Sequence, residues 1–213
     1  MKSITLIAML TLITGILAGQ AVQDIKLNAP DMDRGLTIMK AFEKRASATS
    51  FSPTELSLQD LSDLLWASNG INRPESGKRT APTAVNAQDI DIYVLLRSGA
   101  YLYDHKTHTL KGIAPGDNRK LVSDRQTTFA SAPAMLVLVS DISRFRGDDD
   151  ARKLSWGAMD AGIVSQNVSL FCAGAGLVTR PRASMDIEGL KKLLMLTVTQ
   201  YPLLNNPVGY PNE

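Results

Sequence analysis

Apolar positions along this chain follow two periods, and the two periods divide it into helical and extended stretches. Leu58, Leu61, Leu64 and Leu65 recur at helical spacing. Two starts are available for that helix. Ser52-Pro53-Thr54-Glu55 offers a capping serine, a proline in the first turn and a glutamate three residues on. Ser57 with Asp60 offers the second. Asn69-Gly70 predicts the end, because both residues tolerate the left-handed conformation that closes helices. Leu36, Met39 and Phe42 predict an earlier helix running into Arg45. Trp156 to Ala175 is the longest helical pattern, with Ile163, Gln166, Asn167, Leu170, Phe171 and Ala173 on one broad face and Gly174 and Gly176 marking its end. Arg125 to Ala132 predicts a short helix stopped by Pro133, and Ile187 to Leu194 a last one.

The other period is that of strands. Ile90 to Leu96 alternates and then runs apolar, Arg97-Ser98-Gly99 turns, and Ala100 to Tyr103 returns as a hairpin. After a second turn at Asp104 to Thr109, Leu110 opens another short strand. Ala134 to Ser140 is an apolar run of the length of a buried central strand. Gln23 to Pro30 predicts an extended arm. Pro202 to Pro211 predicts an extended segment whose prolines place it at a sheet edge. Strands and helices do not alternate regularly, which predicts an α+β fold over a doubly wound parallel sheet.

The first residues stand apart from this pattern. Lys2 precedes the apolar run Ile4 to Leu17, and Leu17-Ala18-Gly19-Gln20-Ala21 follows. A charged start, a short apolar stretch and a small-residue exit read as a secretory signal peptide over residues 1–21. The run falls short of the about 20 residues a membrane span needs. An exported, periplasmic protein with no stable membrane insertion after cleavage is expected, with residues 22–213 as one domain. An uncleaved anchor is the rival reading. The 213 residues carry 23 Lys plus Arg against 21 Asp plus Glu, so no basic footprint for nucleic acid is present. Cys172 is the only cysteine, which excludes an intrachain disulfide, and its apolar surroundings predict a buried thiol. His105 and His108 have no carboxylate or cysteine pattern around them, so no metal site is expected and both are read as surface residues. Without a Gly-x-Gly-x-x-Gly there is no sign of a Rossmann dinucleotide site.

Four segments carry candidate chemistry. Arg45-Ala46-Ser47-Ala48-Thr49 pairs an arginine fork, suited to phosphate, with small hydroxyl residues. Arg79 to Gln88 is a loop of small side chains that lets backbone amides approach a flat ligand, with Asn86 adding an amide that both donates and accepts. Ser123-Asp124-Arg125-Gln126 precedes the short predicted helix. Gly176 to Asp186 follows the longest helix and holds Arg182, Ala183 and Ser184. Taken singly, the first three also read as a solvated helix end, a proline turn and a capped helix start.

In their order and spacing these segments resemble the nitroreductase superfamily, especially its branch of azoline-oxidising dehydrogenase domains. Leu61-Ser62-Asp63-Leu64-Leu65-Trp66-Ala67, Gly70-Ile71-Asn72-Arg73-Pro74, Asp160-Ala161-Gly162 and Val208-Gly209-Tyr210-Pro211 extend the likeness over roughly Leu27 to Pro211. The resemblance implies a central, mainly antiparallel sheet flanked by helices, an intertwined homodimer, and FMN held between subunits. It implies that Arg45, Ala46, Ser47 and Thr49 hold the phosphate and ribityl chain. Pro82, Thr83, Ala84 and Asn86 would reach the flavin from the other subunit. Gln126 and Arg182 would meet the pyrimidine edge, and Ala183 and Ser184 would present backbone N–H groups near N5. No side chain is expected to act as catalyst, since the cofactor supplies the chemistry. The implied activity passes a hydride from a small-molecule donor to flat electron-poor acceptors such as nitroaromatics or quinones. The alternative is a non-enzymatic protein that keeps a flavin or another flat ligand on the same fold. Thr49 and the Asn212-Glu213 end stand where relatives carry basic residues, which implies weaker retention of FMN. A nicotinamide donor is cytoplasmic, so it and export do not fit together.

Overall fold

The computed structural model describes residues 21–212, so all but the last residue of the expected signal segment lies outside it. Its strands are β1 (Ile25–Lys26), β2 (Ile71–Arg73), β3 (Lys78–Arg79), β4 (Ile90–Leu96), β5 (Gly99–Asp104), β6 (Thr109–Pro115), β7 (Ala134–Asp141), β8 (Val178–Thr179) and β9 (Gln200–Gly209). Its helices are α1 (Ile38–Lys44), α2 (Leu58–Asn69), α3 (Lys120–Ser123), α4 (Asp150–Ala175) and α5 (Ile187–Leu193). Seven strands form one sheet in the order β1-β6-β5-β4-β7-β9-β8, with antiparallel pairing throughout, and β2 and β3 form a separate ribbon. Among the described residues no helix is long and apolar enough to cross a membrane.

The central strand is apolar without alternation because both of its faces are covered. Leu136 and Leu138 of β7, with Ile92 and Val94 of β4, pack against Leu61, Leu64 and Leu65 of α2 and Ala161, Val164, Val168 and Cys172 of α4. Met135, Val137 and Val139, with Tyr93 and Leu95, face the other way, onto Val122, Phe129, Leu190 and Leu194. Successive side chains of a strand point to opposite faces, so one continuous apolar run serves two cores.

The sequence-predicted elements are largely present, and the structure selects or corrects several of their bounds. The leucine-rich helix begins at the second candidate start. Ser57 accepts the Asp60 N–H at 3.0 Å and its hydroxyl donates to that carboxylate at 2.5 Å, whereas Ser52 only turns back on Thr54. Its end at Gly70 is not left-handed: φ is −76°, and the glycine is needed because a Cβ would sit 2.6–2.8 Å from Trp66. The helix expected over Arg125–Ala132 is a single 3₁₀ turn at Thr127–Phe129, since only Phe129 and Ala132 of that window are buried and too little apolar surface exists to hold a longer one. Finally, β9 has partners on both sides. Only β8 and an isolated bridge from Arg182 to Asn205 cover its outer side, however, and Pro207 shares the outward register of Asn205, so its missing N–H costs no ladder bond.

Helix α4 determines where the candidate segments lie. Asp149 caps it by accepting the Arg152 N–H, six residues before the start the sequence predicts, and Gly176 ends it in the left-handed conformation at φ 76°. Gly157 is where α4 comes closest to the sheet. A Cβ there would lie 2.3 Å from the Ser140 hydroxyl oxygen of β7 and 2.9 Å from Ser140 Cβ. Helix propensity alone would make Gly157→Ala stabilising by about 1 kcal/mol. The close approach reverses the sign: we expect Gly157→Ala to lower the unfolding free energy by about 2 kcal/mol, measured by urea denaturation.

Candidate functional site

Two of the predicted segments run side by side. After α1 the chain turns at Arg45, and Ser47 forms a parallel bridge with Thr179 of β8, with the Ala48 N–H donating to the Thr179 carbonyl at 2.9 Å. Ala46 lines a small cavity with Ser169, Cys172, Ala173 and Thr179, which fixes this segment at the C-terminal end of α4. Arg45 is exposed and has no ion-pair partner among the described residues. Ser47 and Thr49 are exposed beside it.

The third segment joins them through Arg182. Its backbone exchanges both hydrogen bonds with Asn205, at 2.8 and 2.7 Å. Its buried guanidinium donates to the Val122 carbonyl and Asn205 Oδ1 at 3.0 Å each, to the Ser123 carbonyl at 3.3 Å and to Gln126 Oε1 at 3.1 Å, and its carbon lies 4.6 Å from the centre of the Phe129 ring. Four of its five N–H groups are therefore engaged by the protein. Burial and then neighbouring Arg180 push its pKa down, but from so high an ordinary value that the charge stays. Arg182 thus organises the site more than it faces into it. By holding Gln126 Oε1 it leaves Nε2 as the free, outward donor of that amide. Asn205 Nδ2 donates to the Ser184 carbonyl at 3.0 Å, which sets Ala183 and Ser184 at the surface. Neither of their backbone N–H groups has a partner among the described residues.

The loop Pro82–Gln88 lies elsewhere. Thr83 Oγ1 accepts the Gln88 N–H at 2.9 Å, and the Ala84 N–H points at both carboxylate oxygens of Asp160, at 3.1 and 2.9 Å. Val85, Asn86 and Gln88 have φ of 48°, 55° and 50°. For a β-branched residue such as Val85 that conformation is strained, and valine stands here where glycine would sit without cost. Asn86 is exposed, with its side-chain amide unpartnered among the described residues. Val85, Asn86 and Ala87 line an open cleft of about 640 Å³ with Arg144, Arg146 and Trp156.

Asp160 and the Ala46 cavity at Cys172 are separated by twelve residues of α4, roughly 18 Å at 1.5 Å per residue. Within one chain the structure brings Arg45, Ala46, Ser47, Thr49, Gln126, Arg182, Ala183 and Ser184 to the C-terminal end of α4, and Pro82, Thr83, Ala84 and Asn86 to its middle, at Asp160. From the loop toward the C-terminal end α4 shows solvent a strip of Ala158, Met159, Gly162, Ile163 and Gln166, of which Met159 is 63% exposed.

Some residues that shape the site carry no motif. Asp160 and Asp89, which hold the loop, and Arg144, which donates to the Gln88 carbonyl at 2.8 Å, are recognisable only from their contacts, although Asp160 lies in a stretch with family likeness. Cys172 is buried as expected, and burial pushes its thiol pKa up. The surface reading of the two histidines is corrected: both are half-buried, His105 facing buried Arg79 and His108 accepting or donating to the Tyr103 hydroxyl. Among the described residues no cluster suited to a metal ion is found.

A free arginine, exposed hydroxyls, two unpartnered backbone N–H groups and an oriented amide donor match a phosphate, a ribityl chain and the acceptor edge of an isoalloxazine ring, so the residues fit FMN. The sequence profile of the Nitroreductase family matches residues 42–210. A candidate nitroreductase of Methanocaldococcus jannaschii is 27% identical over 87% of this chain and 96% of its own. The crystal structure of a candidate nitroreductase from Ralstonia eutropha JMP134 superposes with a TM-score of 0.84 at 31% identity, covering 92% of each chain. The Escherichia coli microcin synthetase McbBCD complex contains a chain of similar fold, with a TM-score of 0.70 at 20% identity, covering 80% of this chain and 70% of that one.

Proposed function

This chain belongs to the nitroreductase family and is an oxidoreductase, and from that premise we propose an FMN-dependent homodimer that passes electrons to flat, electron-poor acceptors such as nitroaromatics or quinones. One observation carries the reading: one half of the ligand-binding set lies beside the middle of α4, at Asp160, and the other at its C-terminal end, about 18 Å further along, too far for one ring to touch both in a single chain. A two-fold axis crossing α4 near Gln166, midway between Asp160 and Cys172, sets the helices antiparallel. It brings the Pro82–Gln88 loop of one protomer to the Arg45 and Ser184 end of its partner. The exposed strip of Ala158, Met159, Gly162 and Ile163 is the surface such pairing would cover, and exposed Ile38, Met39 and Phe42 of α1 extend it.

Each residue then has a defined task. Arg45 neutralises the phosphate, and Ser47 and Thr49 hydrogen-bond the ribityl chain. The free N–H groups of Ala183 and Ser184 and the Nε2 donor of Gln126 face the ring's acceptor atoms, where donors favour the extra negative charge of the reduced state. The small residues Pro82, Thr83 and Ala84 close one face against water, and Asn86 adds a donor–acceptor pair. FMN, when bound, supplies the hydride chemistry at N5, so none of these side chains needs to take or give a proton.

The test is an absorption spectrum of the native protein, followed by titration with FMN and sedimentation. We expect a yellow protein, bleached by a reductant, with one FMN per protomer and the mass of a dimer. A colourless preparation that ignores added FMN overturns the proposal. Reduced flavin that no quinone reoxidises would leave a binding protein in place of an enzyme. Residues 1–21 are read as an export signal, and the electron donor outside the membrane would then differ from a nicotinamide. Cell fractionation with N-terminal sequencing of the mature chain tests that part separately.

A further inference from the structure

The loop that carries Asn86 rests on two buried acids. Asp89 is 0% exposed and Asp160 3% exposed. Asp89 closes the loop before β4, and Asp160 sits on the sheet-facing side of α4. Asp160 lies one turn beyond Gly157 on the same buried face of α4, and a Cβ at Gly157 would meet Asp89 Oδ2, so the two carboxyl groups are neighbours. Ser140 donates to Asp89 Oδ2 at 2.5 Å, and Asp89 Oδ1 has no donor among the described residues. Gly157 leaves the room they occupy, since a Cβ there would stand 3.3 Å from Asp89 Oδ2.

Among the described residues no cation bonds to either acid. Arg79 of β3 donates to the Ile90 carbonyl and faces His105. Arg144, in the turn after β7, binds Asp91 of β4, with Asp141 beside it, and the Gln88 carbonyl. Tyr103 of β5 is a neutral phenol whose pKa burial raises, and burial with Arg79 pushes His105 down to about 4. Two adjacent carboxylates in such a place do not both ionise. One proton between them gives Asp89 Oδ1 the donor it lacks and leaves Asp160 free to accept the Ala84 N–H.

We propose that a proton held on Asp160 and donated toward Asp89 keeps the Thr83–Gln88 loop in its left-handed conformation, making these two acids the positioning residues for Asn86. The latch is argued from the contacts of Ala84, Asp160, Asp89 and Ser140; its effect on flavin rests on the function proposed above. Burial, then the hydrogen bond and charge of Asp89, push Asp160 up to about 7, against the pull of the Ala84 N–H. The sign follows. A carboxyl whose folded pKa is raised is protonated more readily in the folded protein than in the unfolded chain, so stability falls as pH rises from the ordinary carboxylate range through about 7. Once both acids are charged they repel, Asp160 withdraws from Ala84, and the strained turn at Val85 relaxes.

Trp156 shares a cleft with Val85, Asn86 and Ala87, so in a Trp66→Phe background its emission reports the loop. Full-length protein without added FMN is titrated from about pH 5 to about pH 9, with amide exchange at Ala84 followed in parallel. We expect one transition near pH 7 in emission and at least about a tenfold rise in Ala84 exchange above it, corrected for the intrinsic pH dependence. Asp160→Asn keeps a carbonyl for Ala84 and supplies a permanent N–H to Asp89, so both signals should be flat with the loop closed. Asp89→Asn should flatten them too. A transition that survives in both variants, or protection at Ala84 that does not change in the parent, overturns the proposal. FMN affinity measured on the same samples separates the two readings: a loop that titrates as expected while affinity ignores pH supports the latch and removes the loop from the flavin site.

Discussion

Arg182→Met lowers the unfolding free energy by about 3 kcal/mol and weakens FMN binding at least tenfold. The stability loss follows from what the guanidinium satisfies. The Val122 and Ser123 carbonyls, Asn205 Oδ1 and Gln126 Oε1 all accept from it, and most of these contacts are buried. Leaving a buried acceptor without a donor costs about 1–3 kcal/mol, and methionine of similar length fills the space without supplying an N–H. The paired backbone hydrogen bonds to Asn205 remain, which keeps the loss below the sum of the side-chain bonds. The binding loss has another cause: Gln126 is no longer held by its Oε1, so its amide can present either end to the ligand. Arg182→Lys should recover little of either, because a point charge cannot reach acceptors spread around a planar fork. Urea denaturation and FMN titration of the two variants measure both effects. Stability lost with affinity unchanged would remove Gln126 from the site while leaving the structural role of Arg182 in place.

Much of the scaffold can be read from the order of residues because its signals are local. Ala134 to Ser140 is recognisable as a central strand, since burial on both faces demands an unbroken apolar run. The end of α4 is recognisable because Gly176 really is left-handed. Gly70 shows the limit of that logic: the helix ends there, but for lack of room beside Trp66. Ser52 and Ser57 carry the same type of start signal, and only packing selects the second. The site segments are visible for a similar local reason, as small and polar residues in a particular order. What sets their conformation is not visible. Nothing in the type of Val85 announces a positive φ, and the contact that enforces it joins Ala84 to a residue 76 positions away. Arg182 attracts attention as a cation near a ligand, while its four protein acceptors come from two distant places in the chain, Val122 to Gln126 and Asn205.

Mixing two variants that are each defective restores flavin binding, and this is the outcome that decides whether the site is shared. One variant carries Asn86→Ala with Thr83→Ala, which damages the loop end of the ligand set. The other carries Arg45→Ala with Ser47→Ala, which damages the opposite end. Each alone should bind FMN at least tenfold more weakly than the parent. In a two-fold dimer whose sites draw one end of the set from each protomer, a mixed pair has one site built from the two intact ends and one built from the two damaged ends. Random reassociation after denaturation makes about half of the dimers mixed, so about a quarter of all sites should regain parental affinity. If one chain supplied both ends of its own site, every site in the mixture would still carry one damaged end and none would recover. The roughly 18 Å of α4 between the anchor of Ala84 and the cavity at Ala46 is why recovery is expected. Neither pair of substitutions touches Asp160, Asp89 or Arg182, and although Thr83→Ala gives up the bond from the Gln88 N–H, the site expected to recover takes its loop from the protomer that keeps Thr83, so a failure to recover in folded mixed dimers would count against the shared site.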